Sequence, residues 1–213
     1  MTKGKVKLTI DGQQVEADSG QRLLWAALDA GIFIPNLCAV REREHPQTGC
    51  RLCLVEIKGR VDLAAACAER VTEGMVVKTD TERVDRVRRT AFELLISNHN
   101  IDCKNCVQNG SCALQEIASK MKYKLKTQRL PSIVRSLPVD DSHPLFTYDP
   151  NKCVLCGKCV WACEETGSGE LQFTRRGIDT VISTLGGVPL VQSGCKGCLD
   201  CVKVCPVGAL VPK

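Results

Sequence analysis

Aromatic side chains are scarce: four Phe, two Trp and two Tyr in 213 residues. A core built on stacked rings is therefore excluded, and packing must lean on aliphatic residues and on whatever else holds the chain. No stretch approaches the roughly 18 uncharged apolar residues that cross a bilayer, which argues against membrane insertion. Residues 1–7 run straight into an alternating strand pattern without an apolar leader segment, so we expect no secretory signal. No G-x-G-x-x-G follows a strand, and no G-x-x-x-x-G-K with a following Ser or Thr occurs. No nicotinamide, flavin or nucleotide site is expected. Gly167-Ser168-Gly169 stands in a loop without the context of a phosphate cradle. No triad or carboxylate pair stands out, and Glu164-Glu165 reads as solvated, so no catalytic residue is assigned.

Cysteine is what the chain has in excess, 15 of 213 residues, close to the content of a cysteine-built scaffold. Disulfides need an exported compartment, and an odd count leaves one thiol unpaired. Zinc takes paired Cys-x2-Cys knuckles, four ligands to an ion. Iron–sulfur clusters take runs of three close thiolates and a fourth ligand, and the spacings favour these. The length allows one or two small domains rather than one large core.

The pattern predicts an α+β chain. Lys5–Ile10 alternates, Asp11-Gly12 offers a hairpin turn, and Gln13–Ala17 alternates again. Ser19 is the expected cap of a helix carrying Leu23, Leu24, Ala27 and Leu28, stopped by Gly31. Leu54–Ile57, Val61–Ala65 and Met75–Val77 read as short strands. Two strands, a helix, a cysteine loop and more strands is the order of a β-grasp ferredoxin. Thr79-Asp-Thr-Glu82 reads as a capping box. The helix it opens should turn Val84, Val87, Ala91, Leu94 and Leu95 inward and Arg83, Arg86, Arg88 and Arg89 outward, ending near His99. Four prolines mark 123–150 as an extended connection. Residues 152–163 and 194–205 repeat one another, as in a pseudo-symmetric two-cluster ferredoxin. The expected division is 1–80 for a [2Fe–2S] domain, 81–122 for a helical extension, 123–150 for the connection and 151–213 for the two-[4Fe–4S] unit.

Four ligand sets follow. Cys38, Cys50, Cys53 and Cys67, spaced x11, x2 and x13, suit a [2Fe–2S] cluster, although the spacing departs from the plant-type arrangement. A zinc site or free buried thiols are the competing readings. Cys103, Cys106 and Cys112 need a fourth donor, and His99 stands next to them. Imidazole replaces thiolate on iron in Rieske centres, while zinc with three cysteines and one histidine is the alternative. His45 and His143, each before a proline, read as ordinary exposed histidines. Cys153, Cys156, Cys159, Cys163 and Cys195, Cys198, Cys201, Cys205 both read C-x2-C-x2-C-x3-C. In two-cluster ferredoxins the fourth cysteine of each run ligates the other cluster. The assignment is therefore Cys153, Cys156, Cys159 and Cys205 for one [4Fe–4S] cluster and Cys163, Cys195, Cys198 and Cys201 for its neighbour. Pro206 follows Cys205 as that motif expects, whereas Glu164 follows Cys163; two zinc knuckles are the competing reading. All fifteen cysteines and His99 are used, for about 14 irons per chain on this assignment.

This ordered series resembles the N-terminal electron-transfer region of [FeFe]-hydrogenases. It is also similar to the N-terminal part of the large iron–sulfur subunit of complex I and to the small diaphorase subunit of NAD-linked [NiFe]-hydrogenases. The likeness covers about residues 4–210. It implies a wire between an NAD(P)H-oxidising flavoprotein and a distant catalytic centre. The complex I subunit typically keeps one of the two ferredoxin-type clusters, so the hydrogenase front end is the nearer likeness. The chain stops at Lys213, where a hydrogenase continues into its catalytic domain, and no cysteine remains for a hydrogen-activating cluster. The implied reading is a relay subunit without a catalytic centre, in the reducing cytoplasm. Its implied partners are an NAD(P)- and flavin-binding iron–sulfur flavoprotein and a terminal catalytic subunit. Hydrogenase, bifurcating or not, is the first choice; formate dehydrogenase or ferredoxin-linked transhydrogenase would use the same wire, and a free multi-cluster ferredoxin is the other class.

The formal charge of +5 invites a nucleic-acid reading. Thiolate-held clusters carry roughly −2 each when oxidised, and the histidine-ligated one about −1, which brings the assembled chain to about −2. The basic excess is then local compensation, and no nucleic-acid partner is expected.

Overall fold

Leu8 and Ile10 of β1 (Lys5–Ile10) and Val15 and Ala17 of β2 (Gln13–Asp18) are buried, while Thr9 between the first pair is half-buried and Glu16 between the second is exposed. This is the period-two pattern of a half-buried sheet. The structure, a computed structural model, describes residues 4–213. Asp11 (φ 50°) and Gly12 (φ 84°) both take left-handed backbone, as a two-residue type I′ hairpin requires. The Asp11 carboxylate also accepts the Thr79 N–H at 2.7 Å and the Thr79 hydroxyl at 2.5 Å, tying the turn to a residue 68 positions on.

Two units are distinguished, one ending at Phe92 and the other starting at Glu93. In the first, α1 (Leu23–Asp29) packs Leu23, Leu24, Ala26 and Ala27 against a five-stranded sheet. The sheet adds β3 (Leu54–Ile57), β4 (Ala64–Ala65) and β5 (Val76–Lys78) in the order β2-β1-β5-β3-β4. β1 runs parallel to β5, and the other pairings are antiparallel. The strand expected over Val61–Ala65 is reduced to Ala64–Ala65, with Val61 exposed.

Ser19 does not cap α1. The cap position is Arg22, and no side chain bonds there. The Leu23 and Leu24 amides are taken by the carbonyls of Glu69 and Ala66, so a neighbouring loop supplies the acceptors a cap residue would have offered.

Helix α2 (Glu82–Ser97) starts two residues later than a box on Thr79 would place it. Thr79 is committed to Asp11, and Thr81 accepts the Val84 amide at 3.2 Å instead. Thr81→Ala is expected to cost about 1 kcal/mol, read as a lower denaturant midpoint of the first unit; an unchanged midpoint would refute the cap. The buried residues of this helix include Val84, Arg88, Ala91 and Phe92, whereas Leu94 is exposed. Arg88 and Leu94 thus exchange the roles expected of them. Arg88 can be buried because its guanidinium donates to the carbonyls of Thr79 (2.9 Å) and Leu54 (2.6 Å), which satisfies a charge that burial would otherwise penalise.

In the second unit, α3 (Ala113–Met121) is followed by residues 122–145, which contain no helix or strand. β6 (Phe146–Tyr148) pairs antiparallel with β9 (Leu210–Pro212) near the C-terminus. Between them come α4 (Lys158–Glu165), the hairpin β7 (Leu171–Thr174) and β8 (Val181–Thr184), and α5 (Asp200–Lys203). The sequence repeat is a backbone repeat. Leu155 (φ 53°) and Gly157 (φ 73°) before α4 correspond to Gly197 (φ 67°) and Leu199 (φ 65°) before α5. Each loop needs two left-handed residues to curl round its cysteines, and glycine supplies one of the two in each copy.

Candidate metal centres

The first cysteine set lies in the first unit. Cys38 and Cys50 sit in the loop after α1, Cys53 immediately precedes β3, and Cys67 follows β4; all four are buried. Cys38 Sγ donates to Cys50 Sγ at 3.4 Å. That bond, with burial, pushes the Cys38 thiol up; at Cys50 the bond outweighs burial and brings the thiol down to about 6. Cys53 is likewise raised by its bond to Cys67, which is lowered in turn. Cys38 also feels Cys53, and Cys67 feels Cys38 and Cys50, so two hydrogen-bonded sulfur pairs share one neighbourhood.

The second set lines one cavity of the second unit: His99, Cys103, Cys106 and Cys112. His99 follows the end of α2, Cys103 opens a short 3₁₀ turn, and Cys112 immediately precedes α3. The loop is pinned by the Asn100 amide on Asn151 O (2.7 Å) and the Ala113 amide on Pro206 O (2.9 Å). His99 Nδ1 lies 2.9 Å from Lys152 O. A neutral ring donating there leaves the Nε2 lone pair free, the orientation a metal-binding imidazole takes. Burial depresses the His99 pKa and so holds the ring neutral. Gly208 completes the wall: a Cβ there would stand 2.6 Å from Cys106 Sγ. Any larger residue would displace that sulfur.

The repeat supplies two further cavities. One is lined by Cys153, Cys156, Cys159 and Cys205, the other by Cys163, Cys195, Cys198 and Cys201. Each run therefore places its last cysteine with the first three of the other. Helix geometry explains the split. Cys159 and Cys163 are one turn apart on α4, so both lie on its inner face but at successive levels. Burial raises Cys153 to about 11 and Cys156 and Cys201 to about 12, with neighbouring thiols adding to each shift. Such crowded thiols resist ionisation by themselves; bound iron supplies the positive charge that makes thiolates favourable. The donor chemistry therefore fits iron–sulfur clusters. Among the described residues no three His, Cys, Asp or Glu side chains are arranged to share a single metal ion; the sulfurs ring cavities. All fifteen cysteines are free thiols.

A groove of about 810 Å³ in this unit lies elsewhere, between residues 137–142 and the β7–β8 hairpin. No cysteine or histidine lines it, although Tyr148 and Ile182 wall both it and the Cys153 cavity.

Comparison with known proteins agrees with this arrangement. The profile of the 2Fe-2S iron-sulfur cluster binding domain matches residues 3–82. The NADH-ubiquinone oxidoreductase-G iron-sulfur binding region matches 88–126, and 4Fe-4S binding domains match 145–168 and 188–211. A chain in the crystal structure of an NAD+-reducing [NiFe]-hydrogenase in the H2-reduced state superposes with a TM-score of 0.85 at 34% identity, covering 98% of this chain and 87% of that one. The chain belongs to the iron–sulfur subunit family shared by NAD-linked hydrogenases and NADH-quinone oxidoreductases. Among curated members, a G-type NADH-quinone oxidoreductase chain of Rhizobium meliloti is 37% identical over 97% of this chain and 24% of its own length. NADP-reducing hydrogenase subunit HndD of Solidesulfovibrio fructosivorans is 35% identical over 96% of this chain and 35% of its own. The chain thus spans about a quarter to a third of the length of these relatives. As a family member it is a mixed α/β protein with 2Fe-2S and 4Fe-4S ferredoxin-like domains. No helix among the described residues is long and apolar enough to cross a membrane.

Several residues around these candidate sites carry no mark in the sequence. His143, expected to be exposed, is buried at 6% exposure. Its ring tilts against Phe146 at 4.3 Å and Nδ1 accepts the Leu145 amide at 3.2 Å; a tight local turn folds the ring back over a residue that walls the Cys195 cavity. Tyr148 is buried with its hydroxyl on Ile182 O at 2.8 Å. Glu164, Glu165 and His45 are exposed, as expected. The Gly167–Gly169 loop closes α4: the Ser168 and Gly169 amides both bond Cys163 O.

Proposed function

We propose that this chain is an electron-relay iron–sulfur subunit of a multi-subunit NAD(P)-linked oxidoreductase, with a hydrogenase as the first choice of terminal catalyst. What carries the reading is the gathering of three four-donor sets around separate cavities of the second unit, in addition to the four-cysteine neighbourhood within the first. The first unit is read as a β-grasp [2Fe–2S] domain held by Cys38, Cys50, Cys53 and Cys67. His99, Cys103, Cys106 and Cys112 hold one [4Fe–4S] cluster. Cys153, Cys156, Cys159 and Cys205 hold a second, and Cys163, Cys195, Cys198 and Cys201 a third. Such clusters, when bound, take up and release single electrons. The protein's part is to exclude water from the buried sulfurs, fix the His99 tautomer through Lys152 O and hold each donor in place. Hydride chemistry falls to a partner flavoprotein, and the site of action is the cytoplasm, where thiols stay reduced.

Affinity purification under anoxic conditions, with identification of the attached subunits, tests the proposal. A flavoprotein with its own nucleotide site together with a metal-bearing catalytic subunit supports it. If the chain emerges alone and monomeric, the free-ferredoxin reading replaces it. His99 gives a test within the chain. His99→Cys is expected to keep full iron content while lowering the potential of one cluster, because thiolate adds negative charge. His99→Ala should lose that cluster's spectrum, and an unaltered spectrum would remove His99 from the ligand set.

A further inference from the structure

Residues 117–139 contain no acid but carry Lys120, Lys122, Lys124, Lys126, Arg129 and Arg135. The first five are exposed; Arg135 is drawn inward. Its neighbours are anchored on both sides. The Ile133 amide donates to Ser97 O at 2.7 Å, two residues before His99. Leu137 is held by the Asn151 side chain through both its amide (2.7 Å) and its carbonyl (2.8 Å), two residues before Cys153. Between these anchors Ser136 adopts φ 52°, left-handed backbone that a non-glycine residue takes at a cost.

Arg135 Nη2 donates to Thr180 O at 3.0 Å. Nη1 is buried and has no hydrogen-bond partner. Buried donors in native proteins are almost always paired, so a guanidinium N–H held this way is suited to an acceptor that the polypeptide does not provide. The position of Thr180 shows which acceptor. Two residues on, Ile182 O accepts the Tyr148 hydroxyl. Carbonyls two apart in extended chain face the same side, about 7 Å from one another. The guanidinium therefore lies beside Tyr148, which walls the cavity of Cys153, Cys156, Cys159 and Cys205. Asp149, an acid of this neighbourhood, is already engaged by Lys152 and the Asn151 amide.

We propose that Arg135 is a positioning residue for electron transfer: its buried charge and free Nη1–H stabilise the more negative, reduced state of the cluster held by Cys153, Cys156, Cys159 and Cys205, and raise that cluster's potential. This rests on the cluster reading above.

The test is a potentiometric titration followed by electron paramagnetic resonance on the anoxically purified full chain, as wild type, Arg135→Lys and Arg135→Gln. The Cys205→Ala variant identifies the relevant signal by its loss. Arg135→Gln is expected to lower that midpoint so that the oxidised-to-reduced ratio at the wild-type midpoint changes about tenfold, 59 mV for a one-electron couple. Arg135→Lys should recover more than half of the shift, and the [2Fe–2S] signal should not move. Unchanged midpoints in Arg135→Gln, or a common shift of every signal, overturn the inference. If Arg135→Gln loses the cluster, retention at near-native potential in Arg135→Lys still supports it, while loss in both variants assigns Arg135 to packing and overturns it. A wild-type protein without any [4Fe–4S] signal overturns the cluster reading itself and this inference with it.

Discussion

Cys205→Ala is expected to strip the chain of about four of the roughly 14 irons that the proposed ligand sets would hold, and to abolish the same resonance that Cys153→Ala abolishes. The reason is spatial. Cys205 belongs to the second run in sequence but lines the cavity of Cys153, Cys156 and Cys159. Cys163 lines that of Cys195, Cys198 and Cys201. Cys163→Ala should therefore share its lost signal with Cys195→Ala. Iron analysis and resonance spectra of the four variants decide the matter. If Cys205→Ala and Cys195→Ala remove the same signal, each run holds its own cluster and the exchange is wrong. The loss should be complete, because the other polar side chain of that cavity, Tyr148, has its hydroxyl engaged by Ile182 O, and the rest of the wall, such as Val154, Val207 and Leu210, is apolar.

Leu24→Ala is expected to destabilise the first unit by about 3 kcal/mol, a change of more than a hundredfold in its folding equilibrium. Leu24 is fully buried in the core shared by α1 and the sheet. Its amide bonds Ala66 O, next to Cys67, so a cavity here also loosens the loop that positions a sulfur. Denaturant unfolding followed by the visible absorption of the first unit would read the change. Leu28, only half-buried on the same helix, should cost clearly less when shortened to alanine. Equal costs at the two positions would mean that the helix does not pack as described.

Local chemistry was legible in the sequence wherever one short segment decides it. The β1–β2 hairpin follows from strict alternation and from two residues that tolerate left-handed backbone. The candidate ligands follow from cysteine spacing, and the family comparisons place 2Fe-2S and 4Fe-4S domains over the same segments. Periodicity failed where a polar group's partner is remote in sequence. Arg88 counts as an outward residue on any helical wheel until the carbonyls of Thr79 and Leu54 are found beneath it. Ser19 has the chemistry of a cap, but Glu69 and Ala66 had already supplied the acceptors. Thr79 was drawn off by Asp11, so the cap passed to Thr81.

The same division holds at the metal centres. Sequence alone determined which candidate donors exist and how they are spaced, because both are properties of residue type and position. Tertiary structure decided the surroundings that tune them. Gly208 shapes the wall at Cys106, Lys152 O orients His99, and Arg135 reaches the Cys153 neighbourhood from a loop that sequence inspection reads as a plain connection. Those contacts join residues 18 to 102 positions apart. Burial and charge act through space, and no spacing along the chain encodes which distant group will arrive.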